Sequence, residues 1–310
     1  MSLSLEHVSC NFCGSSDTRL YAKVSYSDYL NRRPELKTEN DPIAKIKELL
    51  EHKFSLVKCK CCDFIYVSPR LSQEKLSALY QQEYFSFYSD NSSKKAKKRQ
   101  DTFNVEIIEL EKIVKKLKVG KKILDVGCGG GFFLDSLDGS WDKHGTEINS
   151  CAVKFATEEL GINVLQGELK NANFSDQSFD VIKMRGTIEH LPDPLNELSE
   201  VYRILRKGGI LTVNTPNIGS ICAKIYREKF RMVCPTHHIY YFSTKTLSNM
   251  LGKIGFKVCK VSSHYFDTPY ADWKDFFKIF SDVAGLKILR KPHTVSPSFY
   301  GNIIDIYARK

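Results

Sequence analysis

From residue 121 onward the chain alternates short apolar runs with longer stretches in which apolar residues recur every three or four positions. Ile123, Leu124 and Val126 make the first run, further runs fall near 162–166, 179–184 and 210–214, and the more polar 143–148 reads as a second strand between them. Short apolar runs bounded by turn signals read as buried strands, and the three-to-four spacing reads as amphipathic helix. Helices are predicted over 101–118, 150–160, 193–206 and 244–254. Gly161 and Gly255 are placed to end two of them. Lys207-Gly208-Gly209 should stop the 193–206 helix, and Thr244 should cap the last. Phe256 to Val261 and Tyr300 to Tyr307 read as two final strands. Strand and helix in alternation imply a parallel sheet with right-handed crossovers.

The stretch 263–298 between the final strands is long and aromatic, with Tyr265, Phe266, Tyr270, Trp273, Phe276, Phe277 and Phe280. Loops of that length inside a compact domain usually carry function. It reads as a substrate-covering insertion or an interface, against ordinary core packing of its aromatics.

The amino-terminal third has another character. Five of the ten cysteines lie in the first 62 residues. Cys10 and Cys13 form one C-x-x-C pair, and Cys59 and Cys62 a second. Two such knuckles supply the four thiolates that tetrahedral zinc prefers, with no position left for water, so the expected role is structural. Cys61 is surplus. The remaining cysteines are isolated and read as small apolar residues. A helix is predicted over Asp41 to Leu50, with Asp41 as its cap and Pro42 in its first position. Residues 86–100 are rich in Ser, Asn and Lys and mark a basic linker. The expected organisation is a zinc-binding module at 1–85, the linker, and a catalytic domain at 101–310.

Composition adds little. At 42% hydrophobic and 26% charged residues the chain is ordinary for a soluble globular protein. It contains no apolar run long enough to span a bilayer. It shows no basic-then-apolar leader, so the cytoplasm is the expected compartment. The formal net charge of +10 suits an acidic partner, whether nucleic acid, a nucleotide-linked substrate or a membrane surface, without choosing between them.

The chemistry concentrates after the first strand, at Asp125-x-Gly127-x-Gly129-x-Gly131. Glycines there let the backbone approach a ligand closely, but the spacing departs from the G-x-G-x-x-G dinucleotide fingerprint. Glu147 follows about 20 positions later at the end of the second strand, where a carboxylate can accept both hydroxyls of a ribose.

This stretch resembles motif I of the class I S-adenosylmethionine-dependent methyltransferases. Gln166-Gly167-Glu168-Leu169 matches that family's segment bordering the adenine, and Ser178-Phe179-Asp180-Val181-Ile182 its fourth strand. Ile188-Glu189-His190-Leu191-Pro192-Asp193-Pro194 resembles the segment after strand four in the branch that includes the ubiquinone-biosynthesis methyltransferases. Leu205 to Leu211 resembles the turn into strand five. Phe64 to Arg70 and Glu83-Tyr84-Phe85 resemble the amino-terminal zinc-binding domain of a set that includes sugar C-methyltransferases. Those enzymes carry a further large carboxy-terminal domain, which would begin about where residue 310 falls.

The resemblance implies a Rossmann-like α/β fold, a seven-stranded mostly parallel sheet with helices on both faces, and the pairing of the last two strands antiparallel. It implies S-adenosylmethionine as cofactor, held by Asp125, Gly127, Gly129, Gly131, Glu147, Ile148, Glu168, Leu169 and Arg185, with structural zinc on Cys10, Cys13, Cys59 and Cys62. His190, His238 and Tyr241 are the candidate acceptor-side residues, His190 as a base near neutral pH. Adjacent His237 and His238 are not expected to share a metal. The expected function is methyl transfer to a small-molecule acceptor such as a nucleotide-linked sugar. The alternatives are an RNA or protein acceptor, or a non-catalytic cofactor-binding scaffold. Nucleic acid is not the favoured partner, because Arg185-Gly186-Thr187-Ile188 lacks the Asn/Asp-Pro-Pro-aromatic pattern common in enzymes that methylate base amino groups.

Overall fold

The computed structural model describes residues 3–32, 46–79, 94–289 and 295–310. Strands β1 (Leu5–Glu6), β2 (Thr18–Val24), β3 (Phe54–Cys59), β4 (Ile65–Val67) and β5 (Arg70–Leu71) build the amino-terminal part. The larger sheet uses β6 (Lys122–Val126), β7 (Asp142–Glu147), β8 (Asn163–Gln166), β9 (Phe179–Arg185) and β10 (Leu205–Pro216). After β11 (Tyr240–Tyr241) it gains β12 (Lys257–Ser262) and β13 (Ile303–Arg309). Its seven strands run in the order β12-β13-β10-β9-β6-β7-β8. The strands from β10 to β8 pair parallel, and β13 lies antiparallel between β10 and β12. This is the expected Rossmann-like α/β architecture.

The central strands are buried on both faces, which is why they read as continuous apolar runs. Ile123 and Val181 face one core, with Phe103, Leu110 and Phe133. Their neighbours Leu124 and Ile182 face the other, with Leu198, Val201 and Leu247. That second core also takes in Phe54, Phe64 and Tyr66 of the amino-terminal part. The two parts share a sheet as well: β11 pairs antiparallel with β4, Tyr240 opposite Tyr66 and Tyr241 opposite Ile65, in a four-stranded sheet ordered β11-β4-β3-β2.

Several boundaries differ from expectation. Residues 94–100, expected in the linker, open the 24-residue helix Lys94–Leu117; Lys, Arg, Ala and Gln are good helix formers, and the charge run does not oppose that. Residues 86–93 of the linker lie outside the described residues, as do Asp41 and Pro42 of the predicted 41–50 helix. There the helix is Lys47–Glu51, with Ile46 at its cap position. Ser243, not Thr244, caps Thr244–Ile254, its side chain accepting from Thr246 N in a capping box. Lys207-Gly208-Gly209 does not separate helix from strand. β10 already begins at Leu205, paired with Phe179, and the glycines sit in a register shift before Ile210. Within 263–298 the aromatic stretch forms the helix Trp273–Leu289.

Candidate active site

The glycine turn leaves the end of β6 in backbone conformations that disfavour side chains. Gly127 has φ +72°, and a Cβ there would lie 2.8 Å from the Thr187 side chain. Gly129 has φ +54° and open space where a Cβ would stand, so any larger residue would project into the cavity that the turn borders. Gly131 lies beneath, its Cβ position 3.0 Å from Ile162 and 3.1 Å from Ala156. Its work is to let the following helix pack against the sheet.

A cavity of about 680 Å³ opens over this turn, within the roughly 300–1,000 Å³ common for ligand pockets. Its cofactor-side wall includes Asp125, Gly127, Gly129, Glu147, Ile148 and Glu168. Leu169 and Arg185 line it too, whereas Gly131 does not reach it. Glu147 is held by its own backbone neighbours: Gly129 N donates to Oε2 at 2.9 Å and Asn149 N to Oε1 at 2.9 Å. Each oxygen keeps acceptor capacity, aimed where a diol can be taken.

Beneath the turn lies a buried charge network. Lys183 Nζ donates to Glu106 Oε2 at 2.8 Å, and Arg185 Nε to Oε1 at 2.9 Å. Burial raises the Glu106 carboxyl, but Arg185 and Lys183 outweigh it and hold it down at about 2. Asp125 receives less help. Burial, opposed by Lys183 and Arg185, pushes it up to about 7, and its buried Oδ1 has no hydrogen-bond partner among the described residues. An orphaned carboxylate oxygen beside a glycine turn fits a ligand that brings a cationic donor. With the diol acceptor Glu147, the residues present suit a nucleoside carrying a charged amino-acid end.

At the other end of the cavity lie Glu189, His190, His237 and His238, with Tyr26 and Tyr29 of the amino-terminal part. His190 Nδ1 donates to His237 O and His238 Nδ1 to Met232 O, each at 2.8 Å. Those carbonyls fix the protons on Nδ1 and put the lone pairs on Nε2. The two rings meet edge to face at 4.9 Å. Burial, reinforced by His238 and His237, drives the His190 pKa well down, so this imidazole is neutral near pH 7. Glu189 Oε2 accepts from Thr215 Oγ1 at 2.9 Å, and burial raises its carboxyl to about 7. Donor atoms of Glu189, His190 and His238 lie within 4.8 Å of one another, a set that could hold a divalent cation. The carboxylate comes from β9's far end, not from beside His237, whose ring turns instead toward Cys234 Sγ at 3.1 Å.

Tyr241 does not join this wall. It is fully buried in the small sheet, its hydroxyl lacking a hydrogen-bond partner among the described residues. Its ring lies behind that of His238, 6.4 Å away, while strand alternation sends Tyr240 the other way, toward Arg70 and Pro192. Tyr26 and Tyr29 were not anticipated, and neither were Arg99 and Phe103 of the Lys94–Leu117 helix. An i, i+3 tyrosine pair in a polar stretch carries no motif that could have flagged it.

The four knuckle cysteines do converge. Their sulfurs lie within 4.8 Å of one another, with Cys10–Cys62 at 3.4 Å and Cys13–Cys59 at 3.5 Å. A Zn–S length of about 2.3 Å puts tetrahedral sulfurs roughly 3.8 Å apart, so the donor set fits zinc with little adjustment. Burial raises the Cys10 thiol to about 11; a cation would be needed to make it a thiolate at neutral pH. Cys61 faces away, toward Ser15 Oγ.

The first knuckle touches the active site's supports. Asn11 Nδ2 donates to Asp193 Oδ1 at 2.8 Å, and Leu195 N donates to Asn11 Oδ1 at 3.0 Å. Asp193 caps Pro194–Ile204, the helix that leaves the Glu189-His190 segment. Buried Arg70 adds a second tie, its Nη1 donating to Pro192 O at 3.2 Å and Tyr240 Oη at 3.1 Å while its Nε pairs with Glu6 at 2.8 Å.

A parallel sheet with a glycine turn at its central strand and a diol-accepting carboxylate on the next strand defines a nucleoside-binding α/β enzyme. A sequence profile described as a methyltransferase domain matches residues 82–261. The chain belongs to that family, and it is an S-adenosylmethionine-dependent methyltransferase of class I. It is 29% identical over 131 residues to a demethylmenaquinone methyltransferase of Staphylococcus haemolyticus, covering 38% of this chain and 54% of that one. It is 30% identical over 107 residues to a ubiquinone biosynthesis O-methyltransferase of Psychrobacter cryohalolentis, covering 32% and 42%. The match thus spans about half the length of these relatives. A solved SAM-dependent methyltransferase from Thermotoga maritima aligns at 26% identity over 61% of this chain and 81% of its own, with a TM-score of 0.43. Among the described residues no helix is long and apolar enough to cross a membrane.

Proposed function

We propose that the chain methylates a small-molecule acceptor held between the amino-terminal module and the Glu189–His190 segment, a nucleotide-linked sugar being the first class to try. The observation that carries this is the single cavity running from the glycine turn to Tyr26, Tyr29, His190 and His238. A wall contributed by a separate module encloses the acceptor end, which suits a small ligand better than a folded RNA or protein. The division into a module at 1–85 and a catalytic domain at 101–310 is part of the same reading, with zinc on Cys10, Cys13, Cys59 and Cys62 shaping the module.

The bound cofactor supplies an activated methyl on a sulfonium, and its leaving group is neutral. What the chain then contributes is alignment, worth most of the rate in such a displacement. Asp125, the Gly127–Gly129 turn, Glu147 and Glu168 hold and orient the cofactor. Tyr26 and Tyr29 exclude water and offer flat faces to the acceptor. Neutral His190, with its lone pair on Nε2, accepts a hydrogen bond from an acceptor hydroxyl and takes its proton where ionised Glu189 offsets the burial that holds its pKa down. Glu189, 3.9 Å from that nitrogen, steadies the imidazolium that would form.

The test is a screen of nucleotide-sugars with the zinc-loaded protein, following formation of the demethylated cofactor. His190→Ala should retain cofactor affinity and lose turnover. Undiminished turnover by that variant would remove His190 from the chemistry.

A further inference from the structure

The helix Trp273–Leu289 turns its polar side inward. Tyr226 Oη donates to Asp282 Oδ2 at 2.6 Å and Tyr265 Oη to Asp275 Oδ2 at 2.9 Å. With its carboxylates engaged against the body of the protein, the helix presents aromatics to solvent. Trp273, Phe277 and Phe280 are 80%, 74% and 78% exposed. They stand at i, i+4 and i+7, on one face. The apolar surface continues: Trp273 and Phe276 rings lie 6.0 Å apart, Phe276 and Phe266 6.1 Å, Phe266 and Tyr300 5.6 Å. Single exposed apolar residues are ordinary, but a contiguous aromatic patch marks a contact surface.

What it contacts is indicated by the charge beside it. Lys98 Nζ sits 5.6 Å from the centre of the Tyr270 ring, with Lys97 exposed beside it, so a basic run borders the patch. A second copy of this chain would bring another run of the same sign to the same rim. A single nucleic-acid strand would want aromatics interleaved with cations along a groove, whereas these form one helical face with cations at its edge. Aromatics on one face and lysines at the rim match a helix lying in a lipid headgroup layer.

We propose that this face docks the protein on an anionic lipid surface, with Trp273, Phe277 and Phe280 entering the headgroup layer and the basic run binding its phosphates. Arg99 and Phe103 of the same basic helix line the catalytic cavity, so docking brings the cavity's rim toward the membrane. The proposal does not depend on the acceptor's identity.

The experiment mixes full-length protein with large vesicles, either phosphatidylcholine alone or an equimolar mixture with phosphatidylglycerol, and measures binding by flotation and tryptophan emission. Of the two tryptophans, Trp141 is buried and donates to Glu111, so a blue shift reports Trp273. Wild type should float with the anionic vesicles and shift to the blue. Phe277→Glu and Phe280→Glu should each weaken partitioning by about tenfold. Lys97→Glu and Lys98→Glu should each weaken it about fivefold or more, on anionic vesicles only. All four variants should bind S-adenosylmethionine as wild type does, which certifies the fold. Absence of wild-type flotation at low salt would overturn the proposal. So would flotation that the phenylalanine variants leave intact, or a patch whose variants instead abolish self-association or binding of single-stranded oligothymidylate.

Discussion

Glu147→Gln is a change of one atom at a carboxylate whose two oxygens each accept a backbone N–H, from Gly129 and from Asn149. An amide offers one accepting oxygen and one donating nitrogen. Whichever way it turns, an N–H group faces an N–H group, and the charge that strengthens the remaining bond is gone. The same swap removes acceptor capacity for a ribose hydroxyl. A hydrogen bond to a charged group is worth about 1.5–3 kcal/mol, or roughly 10- to 150-fold in Kd. The expected outcome is a loss of S-adenosylmethionine affinity in that range, measured by calorimetric titration, with a change in Tm of only a few degrees because the site is at the sheet's end. Glu147→Asp should lose as much, its shorter chain being unable to reach Gly129 N and Asn149 N together. Affinity within twofold of wild type in the Gln variant would refute the assignment of Glu147 to the ribose.

Three further outcomes follow from other parts of the site. Asp125 is raised to about 7 by burial, and a cationic ligand binds its ionised form, so affinity should be nearly full from about pH 8 upward and weaken about tenfold between pH 8 and pH 6; Asp125→Asn should flatten that profile, whereas Glu189→Gln, at the acceptor end, should leave it sloped. Arg70→Met should lower Tm by a few degrees, because it removes the donor shared by Glu6, Pro192 O and Tyr240 Oη, a loss of about 1–3 kcal/mol with Glu6 left partly solvated; an unchanged Tm would show the tie to be idle. Chelation or Cys59→Ser should abolish stoichiometric zinc by elemental analysis and, through Asn11 and Asp193, lower protection of the Glu189–Asp193 backbone in hydrogen exchange; zinc-free protein with unchanged exchange there would disconnect the knuckle from the active site.

The catalytic half was legible because each of its signals is local. A buried parallel strand is a short apolar run, and a glycine turn followed by Glu147 is a spacing that a backbone-bound nucleoside requires. The cysteine pairs were legible for the same reason: C-x-x-C is a local geometry, and only the convergence of two pairs is a long-range event. The acceptor end was less so. Glu189, His190 and His238 meet because β9 and the segment before β11 end at the same rim, and nothing in either segment announces the other. Tyr26 and Tyr29 reach the cavity because the amino-terminal sheet borrows β11, a pairing set by shared burial of Tyr66 and Tyr240. Tyr241 stops one layer short of the acceptor wall: its ring packs behind His238 instead of reaching the cavity. The linker boundary failed because a run of lysines serves a helix as readily as a coil, and packing of Phe103 and Leu110 on the sheet decides for the helix.

The glycine turn and Glu147 together are expected to hold S-adenosylmethionine in a preformed cavity. The most direct measurement is calorimetric titration of the folded, zinc-loaded protein with S-adenosylmethionine and with its demethylated product. Micromolar, one-to-one binding of both is expected, lost on Gly129→Val, whose side chain would enter the open space above the turn. Absence of binding by the folded wild-type protein, or its persistence in Gly129→Val, would contradict that expectation.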